Sequence, residues 1–269
     1  MFCQFTPLGF IGAGYFAELI ITKLVQTNTV DRKDIIVGVR RKTRAEEIKA
    51  KYGVEAFWND NTAVCNKCNS IILAVRPNQV TAASQTIRLV AIADKLLISI
   101  VGAVKIQSLK ELFRTHRIFR VNPNPQIQSG TGLTAYSNYP DALESEIQWV
   151  KHLFSCMSET THLDEDQLNY ISVLSGITHT LYYIECLMDA AHYLGLNEET
   201  AKKFIIASLE GSLELFKTSP EKPGQLIRKA ATPGGIGAEK LYVLDKLGFK
   251  NSVIESMKSA LEKANQLGT

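Results

Sequence analysis

The sequence predicts an α/β protein, in which an N-terminal doubly wound parallel sheet is followed by an all-α half. Up to about residue 163, short apolar runs alternate with helical segments, the pattern of parallel strands joined by crossover helices. From Asp164 onwards the strand patterns stop, and only segments with helical spacing remain. We therefore predict two domains, residues 1–163 and residues 164–269.

The strands and helices of the first half are predicted to alternate regularly. Continuous apolar runs such as Ser70–Val75 indicate strands that are buried on both faces of a sheet. The strands are predicted at the run that ends at Ile11 and at 34–39, 54–57, 70–75, 95–101, 117–121, 133–137 and 159–162, and the helices at 18–25, 45–52, 60–67, 78–93, 104–115 and 142–156.

The helical half begins with a long apolar stretch at helical spacing, Gln167–Leu194, which Gly195 closes. Further helices are predicted at 198–218, 220–231, 238–246 and 251–267. Residues 173–190 are so apolar that we expect this helix to be buried nearly all round. In a domain this small, a partner subunit explains the burial of such a helix most easily. We therefore predict a homodimer formed through the C-terminal helices.

The composition describes a globular protein, with 45% hydrophobic and 21% charged residues. A net charge of +3 is too small and too scattered to predict a nucleic-acid or membrane partner. No apolar run approaches the roughly 20 residues that cross a bilayer. The first predicted strand begins so early that we expect no signal peptide, and hence a cytoplasmic protein.

The five cysteines are widely spread, and one pair, Cys65 and Cys68, has CxxC spacing. An odd, scattered number does not predict a disulfide framework. Two thiolates cannot complete a tetrahedral zinc site, and the sequence offers no second CxxC or nearby histidine pair. We predict a structural role for the pair and no metal site.

The turn after the first strand carries the pattern Gly12-x-Gly14-x-x-Ala17, which is typical of dinucleotide binding in a Rossmann-like domain. Gly12 permits a tight turn, Gly14 lets the backbone approach a pyrophosphate, and Ala17 lets the helix pack closely. The amides at the helix start supply an anion site. An ordinary strand–turn–helix junction is the alternative. The candidate cofactor residues here are Gly12, Ala13, Gly14, Tyr15, Phe16 and Ala17.

The second predicted strand ends in a basic cluster, Arg40-Arg41-Lys42-Thr43-Arg44. An NAD site usually places an acidic residue here to bind the ribose hydroxyls, whereas a basic cluster suits the 2′-phosphate of NADP. Arg40 and Arg41 therefore predict NADPH as the cofactor. The alternative is a solvated charge run that opens a helix with Thr43 as its cap.

The sequence resembles the pyrroline-5-carboxylate reductase family over almost its whole length, as a divergent member. Besides the glycine fingerprint, Leu73–Pro77 resembles the family's L-A-V-K-P, and Arg120–Gln126 resembles R-V-M-P-N-T-P. In the helical half, Ala230–Gly237 corresponds to V-T-S-P-G-G-T-T and Leu244–Phe249 to L-x-x-G-F. The resemblance implies further cofactor residues: Asn61, Ala74, Val75, Arg76 and Pro77.

The resemblance implies an enzyme that moves hydride from NADPH to the C=N bond of 1-pyrroline-5-carboxylate, giving L-proline in proline biosynthesis. It also implies an interlaced homodimer, in some members assembled further, with the active site between the Rossmann-like domain and the helical dimerisation domain. The expected partner is thus a small imine or imino acid.

The substrate side departs from the family pattern. Ile236 and Gly237 stand where the family has two threonines. Pro233 would fit the first turn of a helix whose free amides bind a carboxylate, although a plain helix cap is the alternative. The candidate substrate residues are Thr232, Gly234, Gly235, Ile236 and Gly237.

Because Gly237 replaces the family's second threonine, the sequence does not assign the hydrogen-bond donor to the substrate nitrogen. The candidate catalytic residues are Thr232, Thr178 and His179. A buried, hydrogen-bonded His179 without a catalytic role is the alternative. Two other functions stay open: a reductase of a different cyclic imine or imino acid, and a catalytically silent NADPH-binding dimer.

Overall fold

The structure is a computed structural model that describes residues 2–87, 92, 94–128, 130 and 132–267. Its strands are β1 (Leu8–Ile11), β2 (Ile35–Val39), β3 (Glu55–Trp58), β4 (Ser70–Leu73), β5 (Leu96–Ser99), β6 (Ile118–Asn122), β7 (Gly132–Asn138) and β8 (Ser158–His162). Its α-helices are α1 (Tyr15–Gln26), α2 (Lys42–Tyr52), α3 (Asn61–Lys67), α4 (Val80–Ile87), α5 (Ile106–Phe113), α6 (Glu144–Ser155), α7 (Glu165–Leu174), α8 (Ile177–Tyr193), α9 (Glu198–Thr218), α10 (Pro223–Ala230), α11 (Ile236–Lys246) and α12 (Phe249–Leu267).

The strands form one eight-stranded sheet in the order β3-β2-β1-β4-β5-β6-β7-β8. The first six strands in the chain are parallel, and the order reverses between β1 and β4. In open sheets of this kind, ligands bind where the order reverses, at the carboxyl ends of the strands. The predicted fold class, a Rossmann-like doubly wound sheet followed by helices, is confirmed.

The sheet is buried on both faces, because successive side chains of a strand point to opposite sides. In β1, Leu8 and Phe10 belong to one hydrophobic cluster, while Ile11 belongs to the cluster on the other side. In β4, Ile72 and Ile71 divide in the same way. Helices cover both clusters, which explains why these strands read as continuous apolar runs.

The last two strands differ from the prediction of a wholly parallel sheet. β7 runs antiparallel to β6, and β8 runs parallel to β7. A parallel return needs a crossover of a dozen or more residues, and the connection from β6 to β7 at residues 123–131 is shorter than that. The chain therefore turns back directly on its neighbour.

Two helix predictions also need correction. The stretch Gln167–Leu194 is not one helix, because α7 ends at Leu174 and Gly176 caps the start of α8 in an extended conformation. Glycine favours such a break over a helix interior. The helix predicted at 78–93 ends as α4 at Ile87, and residues 88–91 and 93 lie outside the described residues.

Backbone contacts divide the chain into two units, Met1–Ser175 together with Ala260–Thr269, and Gly176–Ser259. The domain boundary between residues 163 and 164 stays a prediction. No helix in the described ranges is long and apolar enough to cross a membrane.

The second unit buries little apolar surface within a single chain. Among its described residues, Ala191 and Ala201 are the buried hydrophobic ones. The expected all-round burial of residues 173–190 is not found in the single chain, where Leu181 is 55% and Tyr182 68% exposed. Exposed apolar side chains in such number are typical of a protein interaction surface.

Candidate functional site

The first part of the candidate site is the turn where β1 ends beside β4. The Gly12 N–H donates to the Gly38 carbonyl at 2.8 Å, and the Ala74 N–H donates to the Ile11 carbonyl at 2.9 Å. Gly12 has a φ of +97°, and a Cβ at this position would lie 2.6 Å from the Ala74 carbonyl oxygen. Only glycine fits here, because the turn is both left-handed and in contact with backbone.

The turn leads into α1 through an open, uncapped helix start. Gly14 is the N-cap in an extended conformation, and no side chain caps the first amides. A Cβ on Gly14 would meet nothing within 4 Å, whereas Ala17 is buried against the sheet. Tyr15 and Phe16 are exposed and pack edge to face, with ring centroids 5.6 Å apart. The turn therefore offers free N–H groups and space for an anion.

The end of β2 places two arginines at the surface. Arg40 and Arg41 are exposed, and neither makes an ion pair with any residue that the structure describes. Thr43 is not the cap of this helix, since α2 begins at Lys42 with Arg41 as its N-cap and without a side-chain cap. The alternative of a solvated charge run is otherwise not tested by the single chain. Both guanidinium groups are thus free to bind a phosphate bidentately.

Arg44 has a role that the sequence analysis missed. Its Nη2 donates to the Ala13 carbonyl at 3.1 Å and to the Glu18 carboxylate. Glu18 also accepts from Lys51 Nζ at 3.1 Å and from the Tyr52 hydroxyl at 3.0 Å. Burial raises the pKa of Glu18, but these hydrogen bonds outweigh it and hold the pKa below the ordinary value of 4.5. The cluster ties α1, α2 and the glycine turn together.

Asn61 lies at the start of α3, next to the end of β2. Its Oδ1 is 2.8 Å from the place where a Cβ on Gly38 would stand, so the missing side chain of Gly38 makes room for the amide. The Asn61 Nδ2 donates to the Thr86 hydroxyl at 3.2 Å. Along the neighbouring strand end, Arg76 is exposed and Pro77 opens a short 3₁₀ turn, Pro77–Gln79. Within the first unit, the predicted cofactor residues surround the ends of β1, β2 and β4.

The substrate candidates lie in the second unit, around the start of α11. The Gly235 N–H donates to the Thr232 carbonyl at 2.9 Å, and Gly234 has a φ of +73°. Proline followed by a glycine with positive φ is the pattern of a type II turn. Pro233 therefore does not lie in the first helical turn as expected, because α11 begins after it, with Gly235 as an N-cap that makes no side-chain bond.

Thr178 and His179 are exposed in the first turn of α8, whose N-cap Gly176 also lacks a side-chain bond. The alternative of a buried, hydrogen-bonded His179 is therefore wrong for the single chain. Ile236 is 82% exposed, so the residue that replaces a threonine projects an apolar side chain at the start of α11.

The Cys65–Cys68 pair lies in the core of the first unit rather than at its surface. Burial raises the pKa of both thiols to about 12, so they are protonated at neutral pH. The Cys68 Sγ lies 2.9 Å from where a Cβ on Gly9 would stand, which makes the pair part of the packing against β1. The described residues contain no cluster of three potential metal ligands.

Two family models match the chain. Residues 165–267 match the family described as pyrroline-5-carboxylate reductase dimerisation, and residues 7–102 match the one described as NADP oxidoreductase coenzyme F420-dependent. The pyrroline-5-carboxylate reductase of Synechocystis is 29% identical over 97% of this chain and 98% of its own length. Pyrroline-5-carboxylate reductase 2 of Bacillus subtilis is 26% identical, with 97% and 94% covered. The crystal structure of Plasmodium falciparum pyrroline carboxylate reductase with NADP bound has a TM-score of 0.88 and 26% identity, with 97% of this chain and 98% of that chain covered.

Proposed function

This chain belongs to the pyrroline-5-carboxylate reductase family, and we propose that it uses NADPH to reduce the C=N bond of 1-pyrroline-5-carboxylate to L-proline. The observation that carries the proposal is the similarity of both halves, over nearly the full length, to reductases of this name. The glycine turn at the switch point of the sheet supports it independently, because its space and free amides suit a dinucleotide.

In this proposal the cofactor supplies the hydride, and the chain holds and orients it. The amides at the start of α1 bind the pyrophosphate, and Gly14 leaves room for it to approach. Arg40 and Arg41 bind the 2′-phosphate, which their exposure and lack of described ion-pair partners support. Asn61 and the segment from Ala74 to Pro77 complete the cofactor contacts.

On the substrate side, the uncapped start of α11 suits a carboxylate. The amides of Ile236 and Gly237 follow the N-cap, and a helix N-terminus attracts negative charge. The Thr232 hydroxyl is the first candidate for a hydrogen bond to the substrate, with Thr178 and His179 as further donors. Hydride transfer to an imine that is already protonated needs positioning more than a strong acid.

The chain works as a homodimer that pairs through its C-terminal helices. The family model for dimerisation covers 165–267, and the second unit has few buried apolar residues of its own, which supports pairing of this half. Further assembly of dimers and the cytoplasmic location remain parts of the proposal. Light scattering across a concentration series gives the subunit number, and a species that stays monomeric at micromolar concentration contradicts the pairing.

The test of the reaction is loss of NADPH absorbance when 1-pyrroline-5-carboxylate is added to the purified protein, together with the reverse reaction on L-proline. Reduction of a different cyclic imine is the second candidate, favoured by Ile236 and Gly237 in place of two threonines. Imines of other ring sizes, with and without a carboxylate, belong in the same assay. Turnover of one of these imines but not of pyrroline-5-carboxylate would identify that imine as the substrate. NADPH binding without turnover of any imine would favour the catalytically silent NADPH-binding dimer.

The matched variant for the substrate side is Thr232→Val, which keeps the shape and removes the hydroxyl. We expect a lower rate at unchanged NADPH affinity, since Thr232 lies outside the cofactor turn. A variant with unchanged kinetic constants excludes Thr232 from the reaction.

A further inference from the structure

The Arg44 guanidinium joins the glycine turn to two neighbouring helices. Its Nη2 uses one N–H for the Ala13 carbonyl, at 3.1 Å, and the other for the Glu18 carboxylate on α1. Its Nη1 donates to Glu47 Oε2 on α2, at 2.9 Å. The side chain is only 23% exposed, whereas its neighbours Arg40 and Arg41 are exposed. This arginine is therefore held in place, in contrast to the two before it.

The hydrogen bonds of Arg44 leave it poorly suited to bind a phosphate. An arginine has five N–H donors in a fixed plane, and both donors on Nη2 are engaged. Glu18 places its negative charge directly beside the guanidinium, so an approaching phosphate would meet a carboxylate. Of the three arginines at this strand end, Arg44 is the one whose charge is already balanced.

The hydrogen bond from Arg44 to the Ala13 carbonyl also sets the direction of the Gly14 N–H at the glycine turn. The Ala13 carbonyl and the Gly14 N–H belong to one planar, trans peptide unit, in which they point in opposite directions. A guanidinium that holds the Ala13 carbonyl towards α2 consequently fixes the direction of the Gly14 N–H. That N–H donates to no group that the structure describes, and the space beside Gly14 is open.

We propose that Arg44 is a positioning residue that sets the orientation of the Ala13–Gly14 peptide for the pyrophosphate of a nicotinamide dinucleotide. The inference rests on the proposed function, since it takes the glycine turn to be the dinucleotide site. It differs from a phosphate-binding role in one measurable respect. The pyrophosphate is common to NADPH and NADH, so Arg44 acts on both cofactors equally, whereas a contact with the 2′-phosphate acts on NADPH alone.

The experiment compares Arg44→Met with the unaltered full-length protein and with Lys51→Met. Methionine keeps part of the apolar stem of Arg44 and removes its donors. Lys51 bonds the same carboxylate, at 3.1 Å, but has no recorded bond to the turn, so its variant controls for loss of charge beside Glu18. The dissociation constants of NADPH and NADH are measured by cofactor fluorescence without substrate, and thermal unfolding is followed at one protein concentration.

In Arg44→Met, we expect both dissociation constants to rise about five- to tenfold, the loss typical of one hydrogen bond, with an unchanged ratio between them. Lys51→Met should stay within about twofold of the unaltered protein for both cofactors. A reversible loss of fold would also raise both apparent dissociation constants, by the inverse of the folded fraction. Both constants are therefore measured at a temperature where thermal unfolding shows each variant to be fully folded.

Three results with the variants, and one with the unaltered protein, overturn the proposal. If only NADPH binding weakens, Arg44 contacts the 2′-phosphate, and if neither constant changes, the turn does not depend on Arg44. If Lys51→Met weakens both cofactors as much as Arg44→Met does, the charge balance at Glu18 is responsible and not the bond to Ala13. Failure of the unaltered protein to bind either cofactor overturns the proposed function together with this inference, whereas binding without imine reduction overturns the proposed function alone.

Discussion

Alanine at Gly12 should lower the stability of the protein, whereas alanine at Gly14 should weaken cofactor binding and leave stability nearly unchanged. A side chain at the φ of +97° found at Gly12 costs about 1–2 kcal/mol. The new methyl group would also stand 2.6 Å from the Ala74 carbonyl oxygen, and relieving such an overlap costs about 1–3 kcal/mol. Gly12→Ala should therefore lower the free energy of unfolding by about 2–5 kcal/mol.

Gly14→Ala should leave stability nearly unchanged and weaken the cofactor. Its backbone has a φ of −79°, which alanine adopts without strain, and the added Cβ meets nothing within 4 Å. Alanine is a poorer N-cap than glycine but also stiffens the unfolded chain, so the two effects largely cancel to within about 1 kcal/mol. The methyl group stands where the pyrophosphate must approach, and loss of one charged hydrogen bond there costs about 1.5–3 kcal/mol of binding.

Urea unfolding at one fixed protein concentration measures the first effect, and NADPH titration measures the second. The concentration is fixed because a dimer's stability depends on it. Unfolding of Gly12→Ala at the same urea concentration as the unaltered protein would refute the steric argument. NADPH binding by Gly14→Ala at full affinity would show that the pyrophosphate lies elsewhere.

Three further predictions concern charges and thiols. Arg40→Ala combined with Arg41→Ala should reduce the preference for NADPH over NADH by about 1–3 kcal/mol, measured as the ratio of dissociation constants, and an unchanged ratio means that other groups hold the phosphate. The pKa of Glu18 is held below 4.5 in the folded protein. The ionised Glu18 therefore contributes its full stabilisation above about pH 4.5, and this stabilisation is lost as the pH falls through the lowered pKa. In Glu18→Gln, the urea concentration at the midpoint of unfolding should therefore fall less steeply at acid pH than in the unaltered protein. A steeper fall would contradict this. Cys65 and Cys68 should resist a thiol reagent at about pH 8 until the protein unfolds, because both are buried with pKa values of about 12, and rapid labelling of the native protein would exclude that burial.

The strands that carry the cofactor turn could be predicted because burial on both faces leaves a direct trace in the sequence. The apolar run of β4 identifies a buried strand without knowledge of the strands beside it. The glycine spacing after β1 is likewise informative, because the tight turn, the approach of a pyrophosphate and the packing of the helix each favour glycine or a small residue at one of these positions. The direction of β7 does not follow from strand content alone, because only the short connection from β6 excludes a parallel crossover. The break between α7 and α8 had a signal in Gly176, which the apolar spacing on both sides concealed.

The contact of Arg44 with Glu18 and Ala13 could not be predicted in the same way. The residues lie 26 and 31 positions away from Arg44, and only the packing of α2 beside α1 brings them together. In the sequence, Arg44 is one of several equivalent charges, and no local pattern separates it from Arg40 or Arg41. Long-range hydrogen bonds of this kind depend on tertiary geometry, which neither propensity nor periodicity encodes.

The scarcity of buried apolar residues in the second unit has a consequence for the life of the protein in a cell. An unpaired chain presents side chains such as Tyr182, Tyr193 and Phe204 to proteases and chaperones, because in the single chain each of them is more than half exposed. Pairing through this half, as proposed, would cover side chains of this kind, and the paired fraction grows with the number of chains present. Under the proposed pairing, a fall in the number of chains also lowers the paired fraction, so the amount of paired protein falls by more than the number of chains.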